Sequence, residues 1–176
     1  MNVNTLLLRA RDSGFYRWIL NIGLRRMVPF NKPHGFEVVD LGANHVKILI
    51  PYRRNNLNHI RGLHACALAT ISEYSTGLLL LSKLGFDTYR IIMQRLEMDY
   101  HYQGKTNAFA EFTLTDDWIE QTIIQPLKLQ ESVVIKCEVK IHDAEGKHLT
   151  TGNVHWQIKK WTSVKTKLSP WTNLGT

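Results

Sequence analysis

A chain of 176 residues, 44% hydrophobic and 21% charged, has the make-up of one globular domain with a modest extension, which excludes a disordered or low-complexity protein. The longest apolar run, around Leu78 to Leu81, is far short of the roughly 20 residues of a membrane span; Arg9, Arg11 and Asp12 interrupt any signal peptide; and Cys66 and Cys137 lack the spacing of a zinc knuckle or a disulfide framework. The net charge of +7 divides into +5 over residues 1–33, −2 over 34–158 and +4 over 159–176, so a slightly acidic core lies between basic ends that suit solvent, phosphates or lipid headgroups.

Leu6, Leu7, Phe15, Trp18, Ile19 and Ile22 recur at helical spacing among Arg9, Arg17, Arg25 and Arg26. This predicts one or two amphipathic helices over residues 5–28, broken near Ser13 and Gly14. Such an extension packs on its own sheet, covers an acyl pocket or lies on a membrane surface. Pro29 and Pro33 flank the turn that ends it. Phe36 to Leu41 and His45 to Tyr52 then alternate around Gly42, Ala43 and Asn44, as a hairpin does. From Leu63 to Leu84 the period changes: Ala67, Thr70, Ile71, Tyr74, Leu78 and Leu81 recur at three and four residues, and a helix apolar on most faces belongs inside a protein. Arg90 to Tyr102 and Thr106 to Leu114 read as two strands joined at Gly104 and Lys105. Val133 to His142 and His148 to Ile158 read as a hairpin turning at Glu145 and Gly146, and Asp116 to Gln121 between the two pairs reads as a helical turn. Two strands, one buried helix and four strands make an α+β domain, a curved antiparallel sheet around one long central helix. The expected division is a helical extension over 1–33, the domain over 34–160 and a basic tail over 161–176.

The chemistry concentrates where this helix begins. Gly62 and the polar residues before it place the helix start near His64, and the first turn of a helix offers unpaired N–H groups and a partial positive charge. These suit a thioester carbonyl, whose oxygen gains negative charge under attack. Glu73 follows nine residues after His64, half a rotation around and about 13 Å along the axis, so one helix cannot bring both to the same carbonyl. Two copies with antiparallel helices can, giving two composite sites per dimer. A carboxylate on an apolar helix either serves chemistry or is held by Arg61, Lys83 or a group of a partner chain. Arg53, Arg54 and Arg61 cluster just before the helix, positioned to receive phosphates or to stand solvated.

His64-Ala65-Cys66 followed by Glu73 resembles the His-Gly-Gly-x6-acid pattern of the phenylacetyl-CoA and 4-hydroxybenzoyl-CoA thioesterases of the hotdog superfamily. The likeness runs from about Pro33 to Lys160, and the whole chain resembles a branch of hotdog proteins of unknown function. The resemblance implies hydrolysis of an acyl-CoA or acyl-carrier thioester by a homodimer without a cofactor, whether or not dimers pair into tetramers. It implies Glu73 as base or nucleophile, Asn58 as the residue holding carbonyl or water, the Ala65 N–H as the group polarising the carbonyl and His64 as a positioning group. Gly62, Arg53, Arg54 and Arg61 are the expected substrate-binding loop. Both motif glycines are replaced, by Ala65 and Cys66, which narrows backbone access. The alternative is a catalytically inactive, regulatory acyl-thioester binder.

Other residues receive plainer readings. Cys66 reads as a small core residue and His59 as an exposed loop histidine. His142, His148 and His155 lack metal-ligand spacing, so no metal is expected. Trp118, Trp156, Trp161 and Trp171 read as core and interface packing, and without basic–aromatic alternation no nucleic-acid partner is expected. A cytoplasmic location and a peripheral membrane contact through residues 1–28 complete the expectations.

Overall fold

The computed structural model describes residues 3–164. Helices α1 (Val3–Asp12) and α2 (Gly14–Met27) meet at Ser13, which caps α2 by accepting from the Tyr16 N–H. A 3-10 turn, Pro29–His34, leads into β1 (Glu37–Leu41) and β2 (His45–Ile50). Helix α3 (Ala65–Leu84) follows, then β3 (Tyr89–Tyr100) and β4 (Ala108–Thr113). A helical stretch of α4 (Asp116–Ile119), a π-turn (Glu120–Ile124) and α5 (Pro126–Leu129) precedes β5 (Ser132–Asp143) and β6 (His148–Lys160).

The six strands form one antiparallel sheet in the order β1-β2-β4-β5-β6-β3, with α3 packed along it as the hotdog arrangement requires. Ile71, Leu79 and Leu80 are fully buried, on opposite sides of the helix, because the sheet curves around it. Three buried hydroxyls on α3 bond back to helix carbonyls, Ser72 to Leu68 and Ser75 and Thr76 to Ser72, so the core strands no donor there. Gly152 lets α3 approach β6: a Cβ at that position would stand 2.8 Å from Ser72 Oγ. Trp156 on β6 then pins the helix by donating from Nε1 to Thr76 Oγ1 at 3.0 Å. By length and composition α3 would also cross a membrane, but 61% of that window is buried within the protein, and it is the core helix.

The extension is part of the same core. Leu7, Ala10, Leu20 and Leu24 are buried, and Asn21 of α2 bonds both backbone groups of Val38, accepting from its N–H at 2.8 Å and donating to its carbonyl at 3.1 Å. That contact occupies the backbone polar groups of Val38 and so obstructs the pairing of another strand along the β1 edge. Among the described residues the β3 edge has no such cover: β3 pairs with β6 on one side only.

Two expectations are corrected. Strands β3 and β4, read as directly joined at Gly104 and Lys105, are not neighbours in the sheet. Their connection carries Gly104, whose carbonyl accepts from the Leu63 N–H at 2.8 Å, and Leu63 and Leu149 pack where its Cβ would be; this contact sends β3 to one end of the sheet and β4 to its interior. The helical turn after Asp116 continues through Leu129, burying Ile119, Ile123 and Leu127 at intervals of four.

Candidate active site

The site begins at the first turn of α3. His64 takes the N-cap position with φ −70° and ψ 137°, and its Nδ1 accepts from the Cys66 N–H at 3.0 Å. The N–H groups of Ala67 and Leu68 bond to the His64 carbonyl. Among the described residues this leaves the Ala65 N–H without a partner, on an exposed residue, as the one first-turn donor free to meet a ligand. The Ala65 carbonyl accepts from Tyr100 Oη at 3.0 Å, which ties the helix start to the end of β3; burial and the nearby Cys66 thiol push the Tyr100 phenol up. Cys66 is exposed, contrary to its reading as a core residue, because the second helical position faces away from the sheet.

Eight residues further, about 12 Å along the axis, Glu73 is partly buried. Its carboxylate has no hydrogen bond or ion pair among the described residues, and burial alone pushes its pKa from 4.5 to about 7. Lys83 does not hold it: its ammonium binds Asn44 Oδ1 and Asp116 Oδ1, and Arg61 lines the groove at the other end of the helix. Glu73 lines a cavity of about 150 Å³, partly open to solvent, whose other walls include Leu24, Met27, Gly77, Leu78 and Trp156. Met27, Leu81, Phe86 and Ile91 also line an adjoining groove that reaches Val3 and Trp161, so an apolar path leads outward from Glu73 along α3. Helix α2 therefore walls the cavity beside the carboxylate.

Asn31 also lines this cavity. It is 5% exposed, and among the described residues its buried Nδ2 has no hydrogen-bond partner, a state that native proteins rarely leave without a water or ligand. No periodicity marks it; a lone Asn between Pro29 and Pro33 reads as turn chemistry until the fold sets it beside Glu73. Asn56, also unflagged by sequence, is fully buried and fixes the loop before α3. Its Oδ1 lies 2.9 Å from His34 Nδ1, and its Nδ2 donates to the carbonyls of His34 and Pro51.

The remaining expected residues fall into place unevenly. The Asn58 side-chain oxygen accepts from the N–H groups of Ile60 and Gly62, at 3.1 and 2.9 Å; it shapes the loop that contains Arg61, a non-glycine residue at φ 58°. Gly62 is buried, with Gln103 packed where its Cβ would be. Arg53, Arg54 and Arg61 line one surface groove with His59. The Arg53 guanidinium is bonded to the Pro33 carbonyl, whereas Arg54 and Arg61 have no carboxylate partner among the described residues. This groove belongs to the Ala65 end of α3, about 12 Å of helix from Glu73 of the same chain.

Away from these residues, Trp156 is buried and Trp118 is partly buried against the core, while Trp161 donates to the Phe86 carbonyl. Trp171 and most of the expected tail lie outside the described residues. The His148 ring is in contact with those of His101 and His142, and His155 pairs with Glu97. No group of three or more His, Cys, Asp and Glu suited to a metal ion occurs among the described residues.

Solved structures share this fold. A Pseudomonas aeruginosa protein of unknown function, described as a probable thioesterase, is 20% identical at a TM-score of 0.71, over 77% of this chain and 90% of that one. A Haemophilus influenzae thioesterase is 12% identical at 0.61, over 78% and 88%. A Staphylococcus aureus thioesterase is 13% identical at 0.58, over 74% and 98%. The last was solved with a glutamine replaced by alanine at its position 32 and, separately, a glutamate replaced by alanine at its position 47, an interval of fifteen. At these identities the likeness shows the fold, that of hotdog proteins that include thioesterases. No curated protein matches the chain. The sequence matches the family described as a domain of unknown function, DUF4442, over residues 16–158, and the chain belongs to that family.

Proposed function

We propose that the protein hydrolyses fatty acyl thioesters of coenzyme A or of an acyl carrier, at two sites shared across a homodimer. The observation that carries this reading is the Glu73 carboxylate, uncompensated and desolvated beside an apolar cavity. A group near pKa 7 is half ionised at neutral pH and suits general-base work. The acyl chain occupies the path past Leu78 and Leu81, and the carbonyl oxygen accepts from the partner's Ala65 N–H. A water between Glu73 and Asn31 Nδ2 attacks the carbonyl carbon while Glu73 takes its proton. The tetrahedral oxyanion collapses with cleavage of the C–S bond, and the leaving thiolate takes that proton from Glu73. The phosphates of the thiol carrier lie near Arg54 and Arg61 of the chain that supplies Ala65.

The two edges of the sheet support the dimer. With the β1 edge obstructed at Val38 by Asn21, β3 is, among the described residues, the edge more open to recruiting a strand, and its Ile92 and Met93 are exposed. Pairing β3 with its copy sets the two α3 helices antiparallel, because each α3 runs opposite to its own β3, with Ala65 at Tyr100 and Leu81 beside Ile91. The interval of fifteen between the two positions altered in the Staphylococcus protein equals that between Asn58 and Glu73, which supports Glu73 as the acid of the site; here the loop-shaping bonds of Asn58 occupy its side-chain oxygen and leave its amide nitrogen to face substrate.

Release of free thiol from a panel of acyl-CoAs tests the reading. We expect kcat/KM to rise at least about a hundredfold from acetyl-CoA to octanoyl-CoA, because each buried methylene contributes about 0.8 kcal/mol before ordering costs. Binding of acyl-CoA without thiol release across the panel would favour the inactive binder instead.

A further inference from the structure

We propose that the outer face of the α1–α2 hairpin docks on an anionic lipid surface. Phe15, Trp18, Ile22 and Arg26 fall at intervals of three and four on α2 and so share one stripe, opposite the buried Leu20 and Leu24. Phe15 is 64% exposed and Trp18 60%, and their rings stack at 6.1 Å; Leu8 of α1 and Phe30 beyond α2 are exposed as well. Water-facing aromatics in such a group mark a surface that meets a partner.

Charge selects the partner. Residues 1–33 hold six Lys or Arg against Asp12 alone. Two of the six have acidic neighbours on β1, Arg25 with Glu37 at 2.7 Å and Arg17 with Asp40 at 4.0 Å. Arg9 lies over the Tyr16 ring, and Arg9, Arg11, Arg26 and Lys32 have no carboxylate partner among the described residues. Where the aromatic stripe ends, Ile22, Arg25, Arg26, Pro29 and Lys32 line a groove. Apolar rings flanked by unpaired cations are what an interfacial helix presents to acyl chains and phosphates. The inference stands on these residues alone and holds whatever reaction Glu73 serves; none of Phe15, Trp18 and Lys32 lines the Glu73 cavity.

Flotation of the full chain with vesicles tests it. The protein is expected to float with phosphatidylcholine vesicles that contain phosphatidylglycerol, and to bind about tenfold less to phosphatidylcholine alone or at high salt. Phe15→Ser with Trp18→Ser is expected to lose binding about tenfold or more with an unchanged melting temperature, and Arg26→Ala with Lys32→Ala to lose the preference for phosphatidylglycerol. No flotation of the wild type, or flotation that survives the Phe15→Ser and Trp18→Ser changes, overturns the proposal. So does a wild-type assembly larger than a dimer that these changes dissociate, since the face would then join copies of the chain.

Discussion

Glu73→Gln is expected to lower turnover of an acyl-CoA substrate by about a thousandfold and to make the protein more stable at pH 8. The first effect follows from removing the proton acceptor. The second follows from burial, which raises the folded-state pKa to about 7 from the 4.5 ordinary for an exposed glutamate. The folded state then holds this proton more tightly than the unfolded chain does, so stability falls as pH rises from about 4.5 and levels off above about 7. Gln carries no charge to desolvate. At pH 8 the variant should gain about 2 kcal/mol, a value reduced because the cavity is partly open, or roughly 4–8 °C in melting temperature; at pH 4.5 the gain should vanish. In the wild type, kcat/KM should fall about tenfold per unit below pH 7 and be flat above. A Glu73→Gln variant that loses stability at pH 8 would show a carboxylate held by partners rather than left bare.

Ala65→Pro is expected to lower kcat/KM by about a hundredfold or more while the melting temperature moves by no more than about 2 °C. Proline removes one N–H, the donor assigned to the oxyanion, and loss of one such donor commonly costs about 10² to 10³ in rate. The first helical position tolerates proline, whose fixed φ is already helical. His64, at ψ 137°, already has the extended backbone that a residue before proline requires, and exposed Ala65 leaves room for the ring. The Ala65 amide has no protein partner to lose among the described residues. Turnover within threefold of wild type in a folded Ala65→Pro protein would remove this amide from the site.

Local period made much of the architecture legible. The interval of three and four from Leu63 to Leu84 places α3 to within two residues, and both the β1–β2 and β5–β6 hairpins follow from alternation around turn residues. Partner choice was not legible. Adjacency suggested β3 with β4, but the packing of Leu63 and Leu149 on Gly104 is long-range and leaves no periodic trace. The helical stretch to Leu129 escapes a local reading because Pro126 resembles a stop, although a proline in a first turn forfeits no bond; the buried Ile119, Ile123 and Leu127 are the signal that marks it. Within the site, Glu73 stands out as a lone acid on an apolar helix, and the helix start follows from His64. Asn31 becomes visible only when α2 and its following turn fold over α3, and the commitment of Asn58 to its own loop depends on backbone geometry at Ile60 and Gly62.

If each site joins Glu73 of one chain to Ala65 of the other, mixing two defective chains restores activity. Homodimers of Glu73→Gln and of Ala65→Pro should each be nearly inactive. Refolded together in equal amounts, half of the dimers are mixed, and each mixed dimer has one site with both native residues, so about a quarter of wild-type turnover should return. A mixture no more active than its components, with mixed dimers demonstrably present, would contradict the shared site.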